Sequence, residues 1–289
     1  MSIVERALGR VRDDGSATPI EREAKRNTEL LGEDVVAVST LSAALVPVRT
    51  VRMRVDESEP IGAFWAGKAE TAILNQFRGI RREILTLLNT RTNTSDAPII
   101  LFTSPLPGDG KTFVSVATSR MLAGAPDSTV FLHDFDLIRR ATSGLFGAEE
   151  ASGVIECLSE QAQLRRVVCA TDYPRLNLVP AGNGPGETRE MLIGPRLKQF
   201  VDELQATGPK TVHLLDAPPV LSVVEIALLA EQVDIVILVV RSRVTPASAV
   251  KDALEKIGSK SRVCVVLNGI SRSSAADYSD YADYGPIRR

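Results

Sequence analysis

Six short apolar segments alternate with helical segments from Pro98 onwards, and this alternation constrains the fold more than any other feature of the sequence. The apolar segments are rich in β-branched residues, as buried strands are. They are PIILFTS (98–104), TVFLHDF (129–135), LNLVPAG (176–182), TVHLLDA (211–217), DIVILVV (234–240) and RVCVVLN (262–268). Helical periodicity falls between them, over 111–123, 187–206, 222–231 and 246–257. The pattern predicts a doubly wound α/β fold, whose mainly parallel sheet is covered by helices on both faces.

The residues before Pro98 have a different organisation. An apolar stripe predicts a helix over 63–89, with Trp65 anchoring its start. Residues 2–12 predict a short amphipathic helix, which either binds a partner or membrane surface or packs on its own domain. Alternation over 51–55 predicts one extended segment within linker. The predicted organisation is an N-terminal helix and mostly irregular linker (1–62), an α/β domain (63–270) and a polar, flexible tail (271–289).

Composition excludes several classes of function. A net charge of −2 and a pI near 5.9 give no global positive field, so nucleic acid is not an expected partner. The apolar runs are strand-sized, whereas a membrane span needs about 20 apolar residues, and the first residues lack the apolar core of a secretory signal. We therefore expect a cytoplasmic location.

The cysteines and histidines are interpreted as structural residues. Cys157, Cys169 and Cys264 have no metal-like spacing, and their odd number argues against a disulfide framework, so we expect buried thiols. His133 and His213 lie within predicted strands and are interpreted as packed, neutral side chains.

The segment SPLPGDGKT follows the first predicted strand and precedes a predicted helix, which is the context that a phosphate-binding loop requires. Gly108 and Gly110 allow a tight turn whose N–H groups point at phosphate oxygens. Lys111 is placed to reach the β- and γ-phosphates of a nucleotide, and the Thr112 hydroxyl is placed to bind Mg²⁺. The alternative is a chance GKT sequence in a loop.

Aspartates end two of the predicted strands. HDFD places Asp134 and Asp136 at the carboxyl end of the second strand, and LLDAPP places Asp216 at the end of a later one. Open α/β sheets bind ligands at this edge. Three carboxylates beside a phosphate loop suit Mg²⁺ coordination, direct or through water, and one general base. A single such aspartate would often be only a cap or turn residue.

The chain has four tyrosines, and Tyr278, Tyr281 and Tyr284 fall within its last twelve residues, each directly after an aspartate. Tyrosines usually contribute to cores and interfaces, so their concentration in a polar terminus makes little sense for packing. It suits a substrate segment that enters the active site of another subunit. The alternative is a tail that docks its aromatic rings on a partner.

These motifs resemble the bacterial tyrosine kinases, or BY-kinases, that serve polysaccharide export. The resemblance covers about residues 70–285 and is greatest for the autokinases encoded beside exosortase-linked exopolysaccharide systems. It rests on TSPLPGDGKT, on HDFD with Arg139 after it, and on LLDAPP, VVLNG, DYSDYADYG and the opening MSIVERAL. It implies that the sheet is of the P-loop NTPase type and that ATP and Mg²⁺ are bound.

The resemblance also implies roles for individual residues. Lys111 and Thr112 match the Walker A lysine and its metal-binding neighbour, Asp134 and Asp136 match the Walker A′ aspartates, and Asp216 matches Walker B. Asn268 in VVLNG matches a position beside the adenine in related ATPases.

The predicted activity is ATP-dependent autophosphorylation of the tail tyrosines in trans, which would regulate exopolysaccharide synthesis or export. Asp134, or else Asp136, accepts the tyrosine proton in this prediction, and Lys111 neutralises charge on the transferred phosphoryl group. The predicted metal ligands are Thr112, Asp136 and Asp216. The predicted nucleotide-binding set is Gly108, Asp109, Gly110, Lys111, Thr112, Phe113 and Asn268. The predicted acceptors are Tyr278, Tyr281 and Tyr284.

The sequence departs from the general P-loop pattern at one place and from the family pattern at two. Pro105 replaces the first glycine of G-x-x-x-x-G-K-[ST]. The family's subunit-contact motif Glu-x-x-Arg-x-x-Arg becomes Asn75-x-x-Arg78-x-x-Arg81, which removes one partner of an intersubunit ion pair. Phe135 stands where a small residue is usual, and it either alters the substrate mouth or packs on the next helix.

The resemblance implies three kinds of partner. These are a membrane activator of the polysaccharide chain-length or co-polymerase type, further copies of the chain in a ring or smaller homo-oligomer, and a tyrosine phosphatase. The chain would then lie at the inner face of the cell membrane as a peripheral protein.

Two other functions are compatible with the same fold. Plasmid-partition and division-site ATPases direct the phosphoryl group to water, but they carry a signature lysine early in the loop, about where Pro105 and Leu106 stand here. A nucleotide-sensing adaptor without catalysis would present its tail to another kinase.

Overall fold

The computed structural model describes residues 45–126, 128–184, 190–259 and 261–270. Its strands are β1 (Arg49–Thr50), β2 (Ile99–Thr103), β3 (Thr129–Asp134), β4 (Cys169–Ala170), β5 (Leu176–Val179), β6 (Thr211–Asp216), β7 (Ile235–Arg241) and β8 (Val263–Asn268). They form one sheet in the order β1-β4-β5-β3-β6-β2-β7-β8. Neighbouring strands are parallel except β4 and β5, which are antiparallel. The predicted mainly parallel sheet is confirmed.

Helices cover both faces of this sheet. They are α1 (Pro60–Trp65), α2 (Thr71–Leu88), α3 (Lys111–Ala123), α4 (Ala141–Leu145), α5 (Val154–Leu158), α6 (Leu164–Val167), α7 (Pro195–Gln205), α8 (Ile226–Ala230) and α9 (Ala247–Ile257), with a 3₁₀ turn at Glu190–Leu192.

Strand β2 shows why the sheet needs both layers. Successive side chains of a strand point to opposite faces. Ile99 and Leu101 pack with α5, α7, α8 and α9, whereas Ile100 and Phe102 pack with α1, α2 and α3. All five residues of β2 are buried, and each large apolar side chain contributes about 1.5–3 kcal/mol relative to exposure. The doubly wound architecture follows from this two-sided burial.

The single helix predicted over 63–89 is wrong. Helix α1 ends at Trp65 and α2 begins at Thr71, and Gly67 adopts a φ of 76° in the turn between them. A left-handed residue cannot continue a right-handed helix. Trp65 ends α1 rather than beginning a long helix, and its Nε1 donates to Oδ1 of Asp172 at 3.1 Å. The predicted stripe is found on α2, where Phe77 and Ile84 are buried.

Two other predicted helices are shorter than expected. Within 187–206 the chain forms a 3₁₀ turn and then α7, because Gly194 has a φ of 108° and Pro195 begins the helix. Within 222–231 only Ile226–Ala230 is helical. The helices predicted at 111–123 and 246–257 are confirmed to within one residue.

Part of the predicted linker belongs to the sheet. Arg49–Thr50 pairs with Cys169–Ala170, and Val51 is buried in the apolar cluster beneath α2 and α3.

The short helices α4, α5 and α6 were not predicted from the sequence. Periodicity identifies a helix over several turns, and each of these has five residues or fewer.

Some sequence predictions fall outside the described residues. These are the amphipathic helix at 2–12 and the tail at 271–289. Within the described ranges, no helix has the length and apolar character needed to span a bilayer. The three cysteines are free thiols, as predicted, although only Cys169 is fully buried.

Candidate active site

The segment between β2 and α3 forms a compact loop around two left-handed glycines. Gly108 and Gly110 have φ values of 89° and 92°. A Cβ atom on Gly110 would collide with Nδ2 of Asn268, so both backbone angle and space require glycine there. The first residue after Gly110 is Lys111, which begins α3. The loop therefore ends on a helix N-terminus, where free N–H groups and the helix dipole favour an anion.

Side chains from three segments hold the shape of this loop. Oδ2 of Asp109 accepts from the Leu106 N–H at 3.0 Å, and its Oδ1 accepts from the Thr245 hydroxyl at 2.6 Å. Asn268, at the end of β8, donates from Nδ2 to the Asp109 carbonyl at 2.9 Å. The side chains of Asp109 and Asn268 thus hold the loop backbone in place.

The three predicted aspartates lie together beside Lys111. Asp134 and Asp216 occupy paired positions on the adjacent parallel strands β3 and β6, and Asp136 follows two residues after Asp134. The Lys111 ammonium lies 3.0 Å from Oδ2 of Asp136 and 3.7 Å from Oδ1 of Asp216, and it donates to the Thr112 hydroxyl at 3.3 Å. The predicted cluster is present, and all four charged side chains are buried.

Burial and mutual charge govern ionisation in this cluster. Burial by itself lowers the pKa of Lys111, but Asp216 and Asp136 outweigh it, and the net shift of this pKa is upward. Burial, followed by the charge of Asp216, raises the pKa of Asp134 to about 7, although hydrogen bonds from Ser143 oppose the shift. The site therefore keeps a cationic lysine beside buried carboxylates, and the pKa of one of them, Asp134, is raised to about 7.

Two hydroxyls of α4 contact the aspartates, and no motif in the sequence indicates them. Thr142 donates to Oδ2 of Asp216 at 2.7 Å. The Ser143 hydroxyl and N–H both donate to Oδ2 of Asp134 at 2.7 Å. Serine and threonine are so common near helix starts that their presence in a short helix carries no signal by itself.

The oxygens of this site fit a divalent cation. Oδ2 of Asp136 and Oδ1 of Asp216 are buried, and among the described residues they have no partner other than the Lys111 ammonium, which lies beside the Thr112 hydroxyl. Among the described residues, no three His, Cys, Asp or Glu side chains form a complete metal site. Mg²⁺ does not need such a set, because it can bind through one or two carboxylates and take its other ligands from water and phosphate.

Two other predicted residues have mainly structural surroundings. The Phe113 ring packs edge-on against Phe64 and Phe77, at centroid distances of 6.3 and 5.6 Å. Phe135 is fully buried, 6.0 Å from the ring of Phe200 on α7. Phe135 therefore packs in the core against a helix, but the helix is α7 and not the next one along the chain. Arg139, which follows the aspartates, donates its N–H to Oδ1 of Asp136 at 3.2 Å.

The two histidines form a buried pair behind the aspartates. Nε2 of His133 and Nδ1 of His213 are 2.9 Å apart, and Nε2 of His213 lies 2.8 Å from the Thr207 hydroxyl. Burial lowers the pKa of both imidazoles, that of His213 to about 3, so both are neutral as predicted.

The altered subunit-contact motif lies on α2. Nη1 of Arg78 donates to Oδ1 of Asn75 at 2.7 Å on the exposed face of the helix. Nε of Arg81 is buried and has no hydrogen-bond partner among the described residues. The predicted phosphoacceptors Tyr278, Tyr281 and Tyr284 lie outside the described residues.

The chain is similar to several known proteins. No model of a protein family matches it. It is 30% identical over 196 residues to the tyrosine-protein kinase CpsD of Streptococcus agalactiae serotype Ia, covering 66% of this chain and 82% of CpsD. It is 27% identical over 176 residues to EpsB of Ralstonia nicotianae, covering 61% of this chain but only 23% of EpsB. The solved BceF tyrosine kinase domain superposes with a TM-score of 0.58 at 27% identity, covering 68% of this chain and 76% of that domain.

A phosphate loop between strand and helix, with aspartates at the carboxyl ends of neighbouring parallel strands, defines a P-loop protein of the nucleotide-binding class. Within that class, the similarity to CpsD decides the family. The chain belongs to the bacterial tyrosine-protein kinase family.

Proposed function

We propose that this protein is an ATP-dependent tyrosine autokinase that phosphorylates the C-terminal tyrosines of another copy. The observation that carries the proposal is the position of the Lys111 ammonium, 3.0 Å from Asp136 and 3.7 Å from Asp216 at the end of a phosphate-type loop. The family of the chain supports the same activity. Regulation of exopolysaccharide synthesis or export is the cellular role that we infer from that family.

The substrate ATP binds with its phosphates on the N–H groups of residues 108–113, and Asn268 lies on the adenine side. Lys111 turns from the aspartates to the β- and γ-phosphates and neutralises the charge of the transferred group. Thr112, Asp136 and Asp216 hold Mg²⁺. When bound there, the ion neutralises phosphate charge. Most of the catalysis is therefore positioning and electrostatic stabilisation.

Asp134 is the proposed acceptor of the tyrosine proton. Its Oδ2 is committed to Ser143, whereas Oδ1 has only a long contact of 3.3 Å to the N–H of Asp136. The tyrosine oxygen then attacks the γ-phosphorus, the bond from that phosphorus to the ADP oxygen breaks, and the phenolic proton passes to Asp134.

The proposed setting of this reaction follows from the family. We infer self-association, a membrane activator of the polysaccharide chain-length type and an opposing tyrosine phosphatase. The chain would work in the cytoplasm at the inner face of the membrane. A water-directed ATPase is disfavoured because Pro105 and Leu106 stand where those enzymes carry their signature lysine.

The test is incubation of the purified full chain with ATP labelled in the γ-phosphate. Labelled phosphotyrosine supports the proposal, free phosphate alone indicates a water-directed ATPase, and neither indicates a non-catalytic adaptor. Lys111→Ala removes the cation at the phosphates and should abolish the label. Lys198→Ala is the control, because that lysine is 70% exposed and, within the part of the chain that the structure describes, pairs only with Asp202. Full phosphotyrosine in the Lys111→Ala protein would refute the proposal.

A variant with phenylalanine at 278, 281 and 284 locates the acceptors. It should retain ATP binding and lose its own label, while still phosphorylating an added Lys111→Ala chain. That second result tests transfer between copies. Label that remains on the triple variant at other residues contradicts the acceptor assignment.

A further inference from the structure

Helix α4 places two successive hydroxyls against two different carboxylates. Thr142 donates to Oδ2 of Asp216, and Ser143 donates to Oδ2 of Asp134, both at 2.7 Å. The same Ser143 oxygen accepts from the Ala181 N–H at 2.9 Å, beyond the end of β5. Both residues are almost completely buried. Their hydroxyls thus join three strand ends through one short helix.

The bonding is divided in the same way for both aspartates. In each aspartate, Oδ2 accepts a hydrogen bond from a hydroxyl of α4, and Oδ1 has a different neighbour. Oδ1 of Asp216 lies 3.7 Å from Lys111, and Oδ1 of Asp134 accepts the long bond from the Asp136 N–H. A carboxylate can rotate about its last bond, and two neighbouring carboxylates repel each other. Charge alone would therefore not fix which oxygen faces Lys111.

The hydroxyls are not needed for the helix itself. Neither side chain is bonded to a carbonyl of α4, although serine and threonine often bond back to their own helix. Their hydroxyl groups donate hydrogen bonds to the aspartates instead. This pattern is expected of groups that orient ligands from behind, as the outer partners of metal ligands do.

We propose that Thr142 and Ser143 are positioning residues of the phosphoryl-transfer site, which orient the reactive oxygens of Asp216 and Asp134 through their hydroxyls. The inference rests on the proposed function, because it assigns these hydroxyls a part in that reaction. Thr142 acts through Asp216 on the binding of Mg²⁺ with nucleotide. Ser143 acts through Asp134 on the proton-transfer step.

The test uses Thr142→Val, Thr142→Ser and Ser143→Ala in the full chain. Thr142→Val keeps the shape and loses the hydroxyl, and Thr142→Ser keeps the hydroxyl. Ser119→Ala is the matched control, since Ser119 is buried and donates only to the carbonyl of Val116. For each protein, one measures kcat, KM for ATP, the free energy of unfolding in urea, and the Mg²⁺ concentration that half-saturates binding of a fluorescent ADP.

Thr142→Val should need about tenfold more Mg²⁺ for ADP binding, since loss of an outer partner typically weakens a metal site by about 10- to 100-fold. Thr142→Ser should restore the wild-type requirement. Ser143→Ala should lower kcat by about tenfold or more at an unchanged KM, because small misplacements of catalytic groups are costly. Ser119→Ala should match the wild type in both measurements.

The proposal is overturned if Thr142→Val and Ser143→Ala keep the wild-type kcat and Mg²⁺ requirement. It is also overturned if Thr142→Ser, which keeps the hydroxyl, is as impaired as Thr142→Val, since the hydroxyl would then not be what sustains the wild-type Mg²⁺ requirement. Should Thr142→Val fail to fold, Thr142→Ala replaces it, because a smaller side chain cannot overpack. If the wild type makes no phosphotyrosine, the proposed function fails, while the ADP titration still decides the role of Thr142.

Discussion

Gly110 adopts a φ of 92° at the start of α3, and the Nδ2 atom of Asn268 occupies the space next to its Cα. Gly110→Ala should lower the free energy of unfolding by about 1–3 kcal/mol through backbone strain. It should also weaken ATP binding by displacing Asn268 from the Asp109 carbonyl. Urea unfolding and a titration with fluorescent ADP measure the two effects.

Gly79 is the matched control for that substitution. It lies within α2, and a Cβ atom there would have no neighbour within 4 Å. Gly79→Ala should raise the free energy of unfolding by about 0.5–1 kcal/mol, since alanine favours a helix more than glycine does. Equal effects of the two substitutions would contradict the interpretation of Gly110.

The burial of His133 and His213 predicts that the folded protein loses stability in acid. Both are fully buried, and burial holds their pKa values below 6.5 in the folded state, to about 3 for His213. The unfolded chain takes up protons on both near pH 6.5, so their contribution to stability is complete above that pH and is lost as the pH falls below it. The slope approaches about 1.4 kcal/mol per pH unit for each histidine.

Asp134 changes the stability in the opposite direction as the pH falls. Its folded pKa is raised from 3.8 to about 7, so its cost to stability is relieved as the pH falls from 7 towards 4. The chain has only two histidines, so a His133→Gln/His213→Gln variant isolates the effect. Urea unfolding at pH 7 and 5.5 should show a clear loss at pH 5.5 in the wild type. In the variant, an undiminished loss would assign the sensitivity to other groups.

At the scale of elements, three aromatic rings join α1, α2 and α3. Phe64 is fully buried, with its ring centroid 4.8 Å from that of Phe77 and 6.3 Å from that of Phe113. Phe64→Ala should lower the free energy of unfolding by about 3–5 kcal/mol by leaving a cavity among these helices. Since Phe113 follows Thr112 in the first turn of α3, nucleotide affinity should fall as well.

Leu85→Ala provides the comparison on α2. That side chain is 41% exposed, so its truncation should cost less than about 1 kcal/mol and leave nucleotide affinity unchanged. The same urea titration measures both variants. A Phe64→Ala protein as stable as Leu85→Ala would show that the three helices are held by other contacts.

The sequence predicted the buried strands well and the short helices poorly. Apolar strands buried on both faces have a strong signal, so β2, β3, β6, β7 and β8 were predicted within one or two residues. The break between α1 and α2 was missed because a single glycine within a helical pattern does not by itself predict a left-handed residue, and Gly67 has a φ of 76°. Helix α4 gave no periodic signal, and for that reason Thr142 and Ser143 were missed although the aspartates that they hold were found.

At the scale of the whole molecule, the proposed self-association can be tested at the exposed face of α2. The Asn75 side chain is an acceptor for Arg78 of the same helix, and both are exposed. In the family pattern that position is a glutamate. A carboxylate would attract a guanidinium from a neighbouring copy, whereas an amide offers only a neutral acceptor.

Asn75→Glu should therefore strengthen self-association, and Asn75→Gln, which has the same length without the charge, should not. An exposed ion pair contributes about 0.2–1 kcal/mol, so each interface should gain up to about fivefold in affinity. Sedimentation velocity over a range of protein concentrations measures this gain, and added salt should reduce it because the pair is exposed. Identical association of the two variants would mean that copies do not meet through this face of α2. The transfer between copies would then need another contact surface to bring a tail to the aspartates.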